Sequence, residues 1–254
     1  MERKKQHFNF GETYDALPNP RRRFMFKSAL LLPAAVSLGA CEPQQSSSST
    51  SPTGSSGSAS PPKNSHTPRY FNAEEWAFLR AAVAVLIPND DNGPGALELD
   101  VPVFIDRQME SEFGHAARWY MQGPFRSASP LFGYQSRLTP REVYRLGIAA
   151  TNEHCRQLEG KDFAALPFAV QDAVLHQLDE GALRFESVDA KSFFDFLRAN
   201  TIEGYLADPI HGGNKGAASW KMIGFPGARA DFLEFVGQNK PYPYGPVGIS
   251  GEES

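Results

Sequence analysis

From Phe71 onward the apolar residues of this 254-residue chain recur at intervals of three and four, and no alternating run longer than a few residues interrupts them. That spacing is the period of a helix face rather than of a strand. It predicts an all-α fold, a single irregular domain of about five to seven helices joined by long loops. Asn72 with Glu75 three residues on makes a capping-box start. Trp76, Leu79, Val83, Leu86 and Ile87 then form one stripe, which Pro88 ends before a turn cluster from Asn89 to Gly95. Asp100 is placed to cap a second helix through Phe104, Ile105 and Met109, with Trp119 as its furthest extent. Residues 123–139 read as irregular. Thr139-Pro140-Arg141-Glu142 is a sharp helix start, with a capping threonine, proline at the first position and glutamate at the third. Val143, Leu146, Ala150 and His154 carry that helix on. A fourth helix is expected over Pro167 to Glu180, through Val170, Val174, Leu175 and Leu178. A fifth is expected from Asp189 to Leu206, through Phe193, Phe194, Phe196, Leu197 and Tyr205. A Gly-rich loop, a short helix over Arg229 to Val236 and the tail Lys240-Pro241-Tyr242-Pro243-Tyr244 complete the chain.

The first quarter has a different composition. Residues 42–68 are mostly Ser, Thr, Pro and Gly with almost no large apolar side chain. Such a segment buries too little surface to offset its ordering entropy, so a disordered Ser/Pro-rich tether is expected over 41–68 and a folded domain over 69–254. Residues 1–40 read as an export leader. A polar region of about twenty residues precedes Arg21-Arg22-Arg23-Phe24-Met25-Phe26-Lys27, and an apolar run from Ser28 to Gly39 follows. That run is shorter than the ~20 apolar residues a membrane-spanning helix needs, so it reads as the core of a signal peptide. Arg21, Arg22 and Phe24 fill the places of a twin-arginine export motif, with the usual lysine one position late at Lys27. The competing reading is a general secretory signal, whose start is also basic. Leu38-Gly39-Ala40-Cys41 is similar to a lipoprotein box, which makes Cys41 the expected lipidation site. Acyl chains stabilise membrane residence by about 0.8 kcal/mol per buried CH₂. A periplasmic protein anchored to a membrane as a lipoprotein is therefore expected.

Removing the seven basic and three acidic residues of 1–40 from the totals of 25 and 29 leaves 18 and 26, a net charge of −8. That balance argues against nucleic acid as a partner, because phosphate binding requires a basic footprint. Cys41 and Cys155 are the two cysteines. With Cys41 acylated, Cys155 has no partner in the chain and reads as a small buried apolar residue, the alternative being an intersubunit bridge.

The motifs of a self-sufficient catalyst are missing from the sequence. No Gly-x-Gly-x-x-Gly follows a strand pattern, no Cys-x-x-Cys-His would attach haem, and no Gly-x-Ser-x-Gly elbow occurs. Gly212-Gly213-Asn214-Lys215-Gly216 lacks the spacing of a phosphate loop. His115, His154, His176 and His211 have no second ligand at a recognised metal spacing. Glu153-His154 and the pair His176 and Asp179 read as helix-surface residues. No catalytic, cofactor-binding or metal-ligating residue is assigned. The most informative stretch is Asp208-Pro209-Ile210-His211-Gly212-Gly213-Asn214, then Trp220, then Gly224-Phe225-Pro226-Gly227. Paired glycines permit positive φ and close backbone approach, and Asp208 and Asn214 can tie the loop by side-chain to backbone bonds. Two readings stand: an ordered loop with Trp220 plugged into the core, or a partner-docking loop formed by Asp208, His211, Gly212, Gly213, Asn214 and Trp220.

These residues carry a resemblance. Phe71-Asn72-Ala73-Glu74-Glu75, Leu86-Ile87-Pro88-Asn89-Asp90, Gly95-Ala96, Phe104-Ile105-Asp106, Gly204-Tyr205 and the 208–227 stretch together make the region from about Tyr70 to Val247 similar to gluconate 2-dehydrogenase subunit 3. The resemblance implies a small, non-catalytic subunit. FAD would sit on a large partner of the glucose-methanol-choline type, and a multihaem cytochrome c could complete the complex. The small subunit would serve export and stability of the flavoprotein. Two other classes compete: a stand-alone periplasmic lipoprotein acting as a binding or scaffold module, and a metal-dependent enzyme using His211 and Asp208.

Overall fold

The computed structural model describes residues 66–126 and 128–251, so Arg21, Arg22, Phe24 and Cys41 lie outside the described residues. Among the described residues six α-helices follow one another: α1 Ala73–Leu86, α2 Val101–Glu110, α3 Pro140–Glu159, α4 Phe168–Asp179, α5 Ala190–Leu206 and α6 Ala218–Ile223. Among the described residues there is no strand, only two isolated bridges, Asp90 with Gly93 and Gly227 with Val247. The all-α expectation is met.

The starts are set locally. At α1, Asn72 accepts the Glu75 N–H at 2.9 Å and Glu75 accepts the Asn72 N–H at 2.9 Å, a closed capping box. Glu75 is buried, and its second oxygen accepts from Arg145 Nε of α3 at 3.0 Å. One side chain thus both begins α1 and fixes it to α3. At α3 the Glu142 carboxylate accepts from the Thr139 N–H and hydroxyl, both at 2.7 Å. Those two bonds hold its pKa below the ordinary glutamate value. Asp189 caps α5 by accepting the Ser192 N–H at 2.7 Å.

Helix α5 runs through the middle and packs on α2, α3 and α4, while α1 crosses α2, α3 and α4. Phe193 is fully buried between Tyr144 and Phe78, with ring centroids 6.0 Å from each. A Cβ on Gly147 would stand 2.2 Å from the Phe193 ring, so α3 approaches α5 closely enough to exclude any side chain there. Each fully buried Phe, Leu or Ile contributes roughly 1.5–3 kcal/mol by leaving water. The buried Tyr144 hydroxyl is satisfied, donating to Asn200 Oδ1 at 3.0 Å.

Several expectations need correction. Helix α2 stops at Glu110, not near Trp119, because Ser111 turns to extended backbone and its hydroxyl caps the end by donating to the Gln108 carbonyl at 2.8 Å. Asp100 does not cap α2. Its backbone is left-handed (φ 56°), and its carboxylate meets Lys215 Nζ at 2.9 Å instead. The α1 core face is Phe78, Leu79, Ala82, Val83 and Val85, with Trp76 only half-buried. In α3 the core takes Val143, Tyr144, Gly147, Ile148, Thr151 and Cys155, so Leu146, Ala150 and His154 fall to its margin. The expected helix over Arg229 to Val236 is a single 3-10 segment, Asp231–Phe235. Inside the expected Gly-rich loop lies a helix, α6.

One buried side chain organises the N-terminal end of the domain. Asp106 of α2 is fully buried. Its carboxylate accepts from the N–H groups of Arg69 (2.9 Å), Tyr70 (3.0 Å) and Phe71 (3.3 Å) and meets His66 Nε2 at 2.9 Å. The incoming chain is thereby tied to the domain from His66 onward, and Arg141 and Arg145 each lie 4.5 Å over the Tyr70 ring.

Candidate functional site

The stretch singled out in the sequence leaves α5 and doubles back over its C-terminal end. Asp208 begins a 3-10 turn, Pro209–His211, by accepting the Ile210 N–H at 3.1 Å on one oxygen. Its other oxygen accepts the Ile249 N–H at 2.7 Å. Asp208 is nearly buried and thus joins the end of α5 to the C-terminal tail. Gly248 gives that carboxylate room, since a Cβ there would lie 3.2 Å from Asp208 Oδ1.

The two central glycines have different reasons. Gly212 has φ 104°, a conformation L side chains rarely adopt. Gly213 has none of that strain but presses on α5, where a Cβ would stand 2.2 Å from the Gly204 carbonyl oxygen. Asn214 follows, fully buried with φ 46°. Its amide donates to the Ala207 carbonyl at 2.8 Å, and its oxygen accepts from the Ser219 N–H at 3.0 Å and hydroxyl at 2.7 Å. Asn214 therefore fastens both the end of α5 and the start of α6. Lys215 reaches Asp100 at the start of α2, and Arg107 Nη1 donates to the Ile210 carbonyl at 3.2 Å.

Helix α6 is only six residues long and delivers one large side chain. Trp220 is buried, its indole N–H donates to the Leu206 carbonyl at 2.8 Å, and its ring meets Phe225 edge-on at 5.1 Å. The bond satisfies a carbonyl at the end of α5 that has no helical partner. Tyr205 is buried beside it and donates to the Pro94 carbonyl at 2.8 Å. Burial, and then the negative charge of Asp90, push the Tyr205 phenol above its ordinary pKa, so it remains a neutral donor. Gly227 has φ 71°, and a Cβ there would lie 2.2 Å from the Val247 carbonyl oxygen, where the tail returns as a bridge.

The structure thus brings five of the six candidate docking residues into one knot. Asp208, Gly213, Asn214 and Trp220 face inward and hold it closed, and Gly212 turns the chain. His211 alone among the six has an exposed side chain. Asp208 and His211 do not converge as a ligand pair, since both Asp208 oxygens are taken by backbone N–H groups. Among the described residues no group of three or more His, Cys, Asp or Glu side chains is placed to hold a metal. Exposed around the knot are the apolar side chains of Leu206, Ile210, Met222, Ile223 and Phe225, together with His211, Lys215 and Lys221. None of these apolar residues is among the six docking candidates, although Ile210 and Phe225 lie in the same stretch. Their signal was available, as large apolar side chains within a loop rich in turn formers.

Cys155 is buried and unpaired. Burial first, then the negative charges of Asp162 and Glu159, push its thiol up to about 11. A cysteine so placed is not accessible to a bridge with another subunit.

Comparison with known proteins is consistent with this picture of a shaped accessory domain. No curated protein and no solved structure matches the chain. The model of one family, gluconate 2-dehydrogenase subunit 3, matches residues 73–227, from the first residue of α1 to the glycine that closes the knot. The match spans 155 of the 254 residues, and the chain belongs to the gluconate 2-dehydrogenase subunit 3 family, accessory subunits of gluconate 2-dehydrogenase-like complexes.

Proposed function

We propose that this chain is the small, non-catalytic subunit of an exported, membrane-bound FAD-dependent dehydrogenase, and that it docks the flavoprotein through the apolar face of the 206–227 knot. The observation that carries the reading is the combination of family membership with that face. The side chains of Asp208, Asn214 and Trp220 turn inward, and what they hold in place is a rim that includes exposed Leu206, Ile210, Ile223 and Phe225. A loop fixed by Asp208, Asn214 and Trp220 meets a partner with little further ordering, which favours binding. In this reading FAD, and haem c where a cytochrome is present, sit on partner chains. The Arg21-Arg22-Phe24 leader carries the folded pair out of the cytoplasm, and acylated Cys41 holds it at a membrane facing the periplasm.

The test is purification of the tagged chain from membranes, with mass spectrometry and a flavin absorbance spectrum of the co-purifying material. A large flavoprotein is expected. Ile223→Asp with Phe225→Asp should release it while leaving helical content unchanged, because both side chains are half exposed. Deleting the chain should leave the flavoprotein in the cytoplasm or degraded. Normal export and activity of the flavoprotein in the deletion strain would refute the proposal.

A further inference from the structure

Residues 113–141 differ from the rest of the domain in charge and in exposure. They carry Arg118, Arg126, Arg137 and Arg141 and no Asp or Glu, while the other described residues carry 13 basic and 23 acidic side chains. The three most exposed large apolar side chains among the described residues all lie here: Leu131 at 96 %, Tyr120 at 81 % and Phe132 at 73 %. Irregular segments of this length inside a compact domain are uncommon and usually functional.

The segment is held firmly at its base. Trp119 stacks on Phe196 of α5, with centroids 6.2 Å apart and planes at 17°, and Tyr134 meets the same ring edge-on at 5.5 Å. The Tyr134 hydroxyl donates to the Leu138 carbonyl at 2.6 Å. Burial raises the Tyr134 pKa, so that donor stays protonated. Two aromatic side chains thus anchor the loop while Tyr120, Phe125 and Phe132 face water around an open cavity of about 430 Å³, with Leu131 exposed next to Phe132. Three of the arginines have carboxylates near them: Arg118 pairs with Glu112 at 2.7 Å, Arg141 reaches Glu110 at 3.4 Å, and Arg137 lies beside Glu142. Arg126, exposed among the apolar tips, has no such neighbour.

We infer that this loop is a membrane-surface contact, which lays Leu131, Phe132 and Tyr120 into the interfacial layer of an anionic bilayer with Arg126 on the headgroups. Single apolar and aromatic tips on an anchored base, with Arg126 among them and no Asp or Glu in the segment itself, suit a soft anionic interface. The position agrees. The loop ends at Arg141, which covers the Tyr70 ring and whose carbonyl accepts the Tyr70 hydroxyl, so the chain enters the domain from its N-terminal side beside the loop. A lipid on Cys41 would keep the domain within reach of a bilayer. The inference rests on the Cys41 reading only for that proximity. Acylation of Cys41 and a weak surface patch would add to one another as two membrane signals.

The test removes the first signal and measures the second. The mature chain with Cys41→Ser is co-sedimented with vesicles of phosphatidylethanolamine and phosphatidylglycerol and, separately, of phosphatidylcholine, at low and high salt. Binding to the anionic vesicles at least about fivefold tighter than to the neutral ones is expected, weakening with salt. Leu131→Ser with Phe132→Ser should lower it at least about tenfold, and Arg126→Glu at least about fivefold, both with an unchanged circular dichroism spectrum. Equal affinity for both vesicle types, or loop variants that bind like the parent, would overturn the inference. So would loop variants that lose the flavoprotein but not the vesicles, which would make the loop a protein contact. Mass analysis of the N-terminal peptide of the unmutated protein decides Cys41 acylation independently.

Discussion

Asp208→Asn keeps the side chain's shape while replacing one oxygen by an NH₂ group and removing the negative charge, and the geometry of the knot makes it disruptive. The two carboxylate oxygens receive different donors, Ile210 N–H at 3.1 Å and Ile249 N–H at 2.7 Å. An asparagine can accept only one of them and must point its own N–H at the other. Whichever way the amide turns, one partly buried donor is left facing a donor. Leaving such a group unsatisfied costs about 1–3 kcal/mol. The loss falls on the junction between the α5 exit and the tail, because Asp208 sits at the edge of the main core and its partner is in the returning segment. Local opening of the tail should therefore become roughly 5- to 150-fold more frequent, at about 1.4 kcal/mol per tenfold. Hydrogen exchange with peptide-level mass spectrometry reads this directly. Peptides covering 246–251 and 209–214 should exchange faster by that factor, while peptides from α1 and α3 should not change. Unaltered exchange in 246–251 would show that the carboxylate is not what holds the tail, and the knot would have to be explained by the Gly227 and Val247 bridge alone.

Three further outcomes follow from the packing. Gly213→Ala places a methyl group 2.2 Å from the Gly204 carbonyl oxygen, with backbone on both sides, so a loss of about 2–4 kcal/mol in urea denaturation is expected; a change under 0.5 kcal/mol would contradict the close approach. Asp106→Ala leaves three backbone donors without an acceptor at a fully buried site. It should cost about 3–5 kcal/mol, read as a drop in thermal midpoint by circular dichroism, and a small drop would mean that water replaces the carboxylate. Cys155 should resist a thiol reagent in the native protein at neutral pH and react on unfolding. Its raised pKa favours the protonated folded state, so that contribution to stability is complete below pH 9 and is lost as pH rises towards about 11; denaturation midpoints at pH 8 and pH 10.5 check the sign.

Where a helix begins was legible because the instructions are local. Asn72 with Glu75, Thr139 with Glu142, and Asp189 all cap as their spacing implies, since each donor lies within one turn of its acceptor. Which face a helix buries was harder. In α3 the sequence favours Leu146 and Ala150 as core, but the close partner is Phe193, forty-six residues on, and it selects the face that carries Gly147. Asp100 looks like a cap until Lys215, more than a hundred residues away, offers a salt bridge. The same limit applies to the site. Residue type and turn chemistry picked out Asp208, Asn214 and Trp220, but their inward orientation depends on Ile249, Ala207 and Leu206, which no local pattern names. Helix α6 was hidden because glycines on both sides of a six-residue run overrule its weak periodicity.

Asp106 also decides how the domain takes mechanical load. Any tension on the segment that precedes it arrives at His66 and passes, within five residues, into hydrogen bonds that converge on one carboxylate in the interior. The force is transferred to α2, which packs on α5, before it reaches the first turn of α1. Several bonds meeting at one anchor must yield together, whereas a capping box pulled along its own helix would open one residue at a time. The domain is therefore attached at a point that resists peeling, and a pull from that side strains the centre of the bundle before it can unwind α1.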